Sequence, residues 1–296
     1  MTGYPVVVDV LSGAIVLPLL GAALHPLLGA MIQRATRNGV RMSVVLGFAN
    51  LMTLGIFAVY LRPDFSHSFT FLDMLAILNG VLFFWGQWFS VQSVREGDLV
   101  VHSSALGFKV LIVATLSASV GLEKAGAGLF GGAILAAAAV YLVTGATAER
   151  WRANRATLGL TLVACVFFAI NDFMTGWKSQ ETGAARWLIL MMLSAGALSV
   201  GMLIPKWKDV ASAFSTVKTG WPVAGAGLAL GVQALLVNIA FSKFGEPALS
   251  NIAYSTRGVM AVFFVWLVTS RNKSTLGWRQ LVGAALMVAA LAMVMA

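Results

Sequence analysis

Gly97-Asp98-Leu99-Val100-Val101-His102-Ser103-Ser104-Ala105-Leu106-Gly107-Phe108-Lys109 and Gly245-Glu246-Pro247-Ala248-Leu249-Ser250-Asn251-Ile252-Ala253-Tyr254-Ser255-Thr256-Arg257 share one pattern. A glycine and an acid open each stretch, small and apolar residues follow, and a cation closes it. Lys109 and Arg257 are 148 positions apart, half of a chain of 296 residues. Each lies near the middle of a long apolar run, where an ionised side chain costs roughly 2.5 to 3.5 kcal/mol on insertion scales. A chain that keeps two such residues at matched depth reads as one membrane unit repeated, with both cations facing a shared cavity that holds something negative.

Composition sets the class. Hydrophobic residues make up 59% of the chain and charged residues 10%, with a mean hydropathy of +0.87, whereas soluble domains carry about 25% charged residues. These values predict a multi-pass membrane protein. The net charge of +9 falls mostly in short loops, so it reads as topology, and nucleic acid is excluded as a partner. The lone Cys165 excludes an internal disulfide and lacks the spacing of a metal or redox site. No cofactor and no metal are expected. The first apolar run, from Pro5, has no basic segment before it and is too long for a signal-peptide core, so it is read as a retained span. With no transit peptide evident, the expected location is a bacterial inner membrane.

Apolar runs of about 20 residues predict ten spans, near residues 6–32, 42–61, 70–94, 98–120, 126–146, 156–177, 185–205, 220–242, 246–269 and 276–296. Runs this long satisfy the backbone in lipid only as helices. The expected fold is therefore all-α: ten transmembrane helices in two five-helix repeats, 1–148 and 156–296, joined by the charged linker 149–155. An odd number of spans per half gives the halves opposite orientations, as in secondary transporters with a midplane site. Basic residues divide thirteen to five between the two sides, which predicts odd-numbered loops in the cytoplasm and both termini outside. Gly128 and Gly132 in the fifth span, and Gly283 in the tenth, predict close helix packing.

Asp98 and Glu246 are read as helix N-caps. Counting from them, eleven residues at about 1.5 Å each put Lys109 and Arg257 about 16 Å along their helices, halfway through a core about 30 Å thick. His102 and Lys109 share a helical face seven residues apart, as do Ser250 and Arg257, with Tyr254 one turn before the arginine. An arginine fork with a lysine point charge suits a phosphoryl or carboxylate group. Asp172 is the obvious counter-ion, but one acid cannot neutralise two cations. Asp172 and His25 are also candidates for proton coupling, although His25 precedes Pro26 and can instead bond carbonyls freed by a kink. Trp85, Trp88 and Gln233 complete the candidate ligand wall, with Gln87, Gln92 and Asn238 beside them. His25, His67 and His102 form no metal-ligand or nucleophile arrangement, so an enzyme is not expected.

Ten spans in two inverted halves, the tight 3–4 and 8–9 junctions quoted above, and Gly/Ala-rich fifth and tenth spans resemble the drug/metabolite transporter superfamily of EamA type. Within it, central cations on the fourth and ninth helices look like the phosphate-binding positions of triose-phosphate translocators. That resemblance implies that Lys109 and Arg257 hold a phosphoryl group. Two departures are visible. Gly258 follows Arg257 where the translocators have a second cation, and Arg271-Asn272-Lys273 replaces the acid that follows the fourth helix as Glu123. The expectation is a secondary transporter for a small organic anion, acting as a monomer or homodimer in the bilayer. Export of amino acids or amphipathic drugs, and flipping of a lipid-linked phosphate, are the alternatives.

Overall fold

The computed structural model describes residues 4–66, 68–96, 101–102, 105–124, 126–145, 147–269 and 277–295. All regular structure among them is helical. In chain order the helices are α1 (Tyr4–Arg37), α2 (Met42–Tyr60), α3 (Phe71–Glu96), α4 (Phe108–Ser119), α5 (Ala127–Thr144), α6 (Ala148–Ala153) and α7 (Arg155–Thr182). They continue with α8 (Ala184–Leu203), α9 (Trp207–Ala213), α10 (Val217–Phe244), α11 (Pro247–Tyr254), α12 (Arg257–Thr269) and α13 (Trp278–Met295). Eight helices among the described residues are long and apolar enough to cross a membrane. The chain is an all-helical, multi-pass membrane protein.

The long helices pack as α1 on α10, α3 on α7 and α5 on α13, with α2 and α8 crossing between them. Lipid supplies no hydrophobic drive between helices, so small residues and polar contacts decide which faces meet. At the α3–α8 contact, a Cβ on Gly80 would lie 1.9 Å from the Met191 carbonyl and 2.0 Å from Ser194 Oγ. At α5–α13, a Cβ on Gly132 would lie 3.0 Å from the Ala290 carbonyl, and one on Gly283 would lie 3.0 Å from the Ala139 carbonyl. The close packing expected from Gly128, Gly132 and Gly283 is thus present, with backbone against backbone.

Polar ties join the helices elsewhere. Asn79 and Asn171 each donate to the other's main-chain oxygen, at 3.2 and 3.1 Å, bridging α3 and α7. Asn50 donates to Ser199 Oγ across the α2–α8 crossing at 3.0 Å. Arg186, one of the five basic residues on the less basic side by the loop count, is instead buried in the first turn of α8. It grips Asp73 through Nε and Nη2 at 2.7 and 2.8 Å and so clamps the starts of α3 and α8 together. A charge committed to such a pair weighs less in a topology count than a loop charge.

Gly80→Ala should force α3 and α8 apart and lower stability by about 1 to 3 kcal/mol, whereas Gly159→Ala, at a site with nothing near its Cβ, should be near neutral or stabilising. Thermal unfolding of the two variants in one detergent checks the difference.

Candidate functional site

Both predicted central spans are broken rather than continuous over 98–120 and 246–269. Leu106 and Gly107 turn before α4 starts at Phe108, and Ser255 and Thr256 turn before α12 starts at Arg257. Shortened i to i−3 bonds run through both breaks: Lys109 N–H donates to the Leu106 carbonyl and Gly258 N–H to the Ser255 carbonyl, at 3.2 and 3.3 Å. The second break has a side-chain cause. The Ser255 and Thr256 hydroxyls donate back to the Asn251 and Ala253 carbonyls, each at 2.8 Å, and compete with the helical amides. Each cation therefore stands in the first turn of a new helical segment, where the helix dipole adds positive potential to its own charge.

Lys109 meets that cost with Asp172 of α7, at 2.6 Å from Nζ to Oδ2, and both side chains are 9% exposed. The pairing leaves Arg257 as surplus: among the described residues no carboxylate lies within ion-pair distance of it. Its guanidinium sits 4.4 Å from the Tyr254 ring centroid, and Lys109 Nζ lies 5.6 Å from the same ring. One aromatic ring thus softens two cations, a contact worth roughly 0.5 to 2 kcal/mol each. Two cations and one anion leave a net charge of about +1 in the middle of the bundle.

Gln233 of α10 donates through Nε2 to the Tyr254 hydroxyl, which fixes that ring. Its side chain also meets that of His25, which lies within electrostatic reach of Arg257, and beyond that mutual contact Gln233 Oε1 and His25 Nδ1 are buried with no closer partner among the described residues. Lys109, Asp172, Arg257, Tyr254, Gln233 and His25 therefore form one neighbourhood around a surplus cation.

His102 lies at the margin of this neighbourhood, within electrostatic reach of Arg257 and His25, and the other candidates are held elsewhere. His102 is caged by hydroxyls, with Ser93 and Thr161 on Nδ1 at 2.6 and 3.1 Å and Ser90 on Nε2 at 3.3 Å. The turn at Leu106 and Gly107 interrupts the helix between it and Lys109. Ser250 donates to the Ala14 carbonyl at 2.9 Å and ties α11 to α1. Trp85 belongs to an aromatic row with Phe84 and Phe89, and Trp88 is half-buried on the same helix. Asp98, His67 and Arg271 to Lys273 lie outside the described residues.

Glu246 is not the cap it was read as: its side chain makes no capping bond at α11. Glu123, from the loop after α4, performs that role from the other half of the chain. Its carboxyl accepts the Ala248 and Leu249 N–H groups, at 2.6 and 3.3 Å. Pro247 at the first helical position has no N–H to offer, so the next two amides carry the cap. Burial, reinforced by the nearby Glu246 charge, pushes the Glu123 carboxyl up to about 7.

A carboxyl whose affinity for protons rises on folding contributes stability below its unfolded range near 4.5, and that contribution is lost as pH climbs through about 7. The apparent melting temperature should accordingly fall between pH 5 and pH 8, and Glu123→Gln should flatten the fall in a parallel pH series. Asp172→Asn strands a buried lysine and should destabilise by about 3 to 5 kcal/mol, much of it recovered in the Lys109→Met/Asp172→Asn double variant. A thermal double-mutant cycle reads both.

No protein-family model matches the chain, and no curated protein is detectably similar to it. The fold does recur among solved structures, of which 29 chains match. One, described only as a crystal structure of a protein, aligns over 95% of this chain and 96% of its own with a TM-score of 0.70 at 11% identity. That likeness establishes a shared fold, and nothing about activity.

Proposed function

We propose that the protein is a secondary transporter of the drug/metabolite type, moving a small organic anion by alternating access around Arg257. The observation that carries this reading is the surplus central cation, beside an ion pair at the junction of two broken helices. Discontinuous helices whose segment starts meet near mid-membrane are how several transporter folds build a substrate site. Counting α11 with α12, and α4 with the helical residues before Gly107, as crossings gives ten spans.

The packing supports two related halves. Advancing by half the chain maps α1 to α7, α2 to α8, α3 to α10, α4 to α12 and α5 to α13. Under that map the α1–α10 contact becomes α3–α7, α2–α10 becomes α3–α8, and α1–α12 becomes α4–α7. The α2–α8 and α5–α13 contacts map onto themselves. Five crossings per half make the repeat inverted, with a pseudo-twofold axis through the site. The charge bias favours both termini outside.

Charge balance favours a monocarboxylate over a phosphate dianion. Asp172 already neutralises Lys109, so one negative charge on the cargo closes the account at Arg257. The loaded site is then neutral and crosses the occluded state at low electrostatic cost, while the empty site keeps an unpaired cation that resists closure. Obligatory exchange follows from that difference. Gln233 Oε1 and His25 Nδ1 supply hydrogen-bonding positions beside the carboxylate. A second reading, export of amino acids, is favoured by the Lys109–Asp172 pair: the cargo carboxylate would sit on Arg257 and its ammonium group near Asp172.

Thermal stability of the purified protein should rise with small monocarboxylates more than with phosphate esters of similar size. Arg257→Ala should weaken that binding by about 2 kcal/mol or more, and Arg257→Lys by less. Stabilisation by zwitterions alone would favour the second reading. Equal responses of the parent and Arg257→Ala to every anion would defeat the anion site.

A further inference from the structure

A trough runs between α4 and α5 on the outside of the bundle, with a volume of about 260 Å³, lined by Phe108, Leu111, Ile134, Ala137, Ala138 and Tyr141. Sequence spacing explains its shape. Ile134, Ala137, Ala138 and Tyr141 recur every three or four residues on one face of α5, and the two alanines leave a hollow between larger neighbours. The lining is almost wholly apolar, and Ile134 is 57% exposed. A helix that is apolar all round, in a chain of this composition, meets hydrocarbon there.

One end of the trough is closed by aromatic rings and topped by charge. Trp151 of α6 packs edge-on against Tyr141 at 5.5 Å and lies 5.9 Å from Phe108. Tryptophan and tyrosine collected at a helix end mark the depth of the lipid headgroups. Immediately beyond, Arg150, Arg152 and Arg155 are exposed on the linker, against the single acid Glu149. This segment falls on the side of the protein richer in basic residues. An apolar slot at hydrocarbon depth, an aromatic rim and a planar-cation cluster at headgroup depth make a continuous amphipathic surface.

We propose that this surface is a binding site for an anionic phospholipid, with one acyl chain in the α4–α5 trough and the phosphodiester on Arg152 and Arg155. The guanidinium fork matches the phosphodiester, and the arginine cluster favours a headgroup with net negative charge over one whose phosphate is balanced by a cationic choline that the arginines repel. Occupancy would also bear on the centre of the bundle. Phe108, which borders the trough, is the first residue of α4, and Lys109 follows it at the helix break. The site stands independently of the transport reading, since it rests on the outer face and the linker alone.

The test is native mass spectrometry of the full chain in neutral detergent, titrated with phosphatidylglycerol or phosphatidylcholine of identical acyl chains. Phosphatidylglycerol should bind at least about tenfold more tightly. Arg152→Gln/Arg155→Gln should bring it to the level of phosphatidylcholine, and Ala138→Phe, an exposed position that fills the trough, should weaken both lipids. Glycerol 3-phosphate, a headgroup without a chain, should not compete. Equal affinity for the two lipids in the parent overturns the proposal, as does undiminished binding to Ala138→Phe with helix content intact. A dimer in the parent that Ala138→Phe abolishes would instead assign the trough to a second copy of the chain and overturn it as well.

Discussion

The Lys109–Asp172 ion pair is the constraint around which the centre of this protein is arranged. Burying either ion alone in a bilayer costs several kcal/mol, and the pair is tolerable only because its members meet at 2.6 Å. That contact requires the start of α4 to face the middle of α7. The break at Leu106 and Gly107 makes this possible by letting α4 begin afresh at the right depth. Tyr254, reaching in from the other half, contributes its ring to Lys109 and to Arg257 together.

The same half of the chain that supplies Lys109 also supplies Glu123, which caps the helix leading to Tyr254 and Arg257. The two halves therefore hold each other's active elements: an acid of the second half pairs with the lysine of the first, and an acid of the first half anchors the arginine segment of the second. Such reciprocal anchoring gives a rigid centre without a continuous helix. It also means that a movement of one half against the other must strain one of these two links.

Much of this was legible in the chain. The apolar runs, too long for anything but helices in lipid, predicted the all-helical membrane class, and the spacing of Lys109 from Arg257 pointed to the central pair. Asp172 stood out as counter-ion because it is a rare acid within a span. Gly132 and Gly283 signalled close packing, and both press against carbonyls of the facing helix. The helix breaks left a fainter trace. Tandem Ser255-Thr256 and the lone Gly107 are compatible with an uninterrupted helix, and only their hydrogen-bond partners decide otherwise. The surroundings of His102 were equally illegible: three hydroxyls from α3 and α7 hold it, within electrostatic reach of Arg257.

Local chemistry written along the chain determined the class, the helices and the residues that bear charge in the membrane, because hydrocarbon penalises every polar group by its own identity. Tertiary structure alone decided which cation is neutralised and which is left over. That outcome depends on a distance between side chains 63 positions apart, and on two turns whose bonds exist only once neighbouring helices have packed. The sequence holds two cations and one central acid. The fold assigns the acid to Lys109 and leaves Arg257 with no carboxylate within ion-pair distance among the described residues.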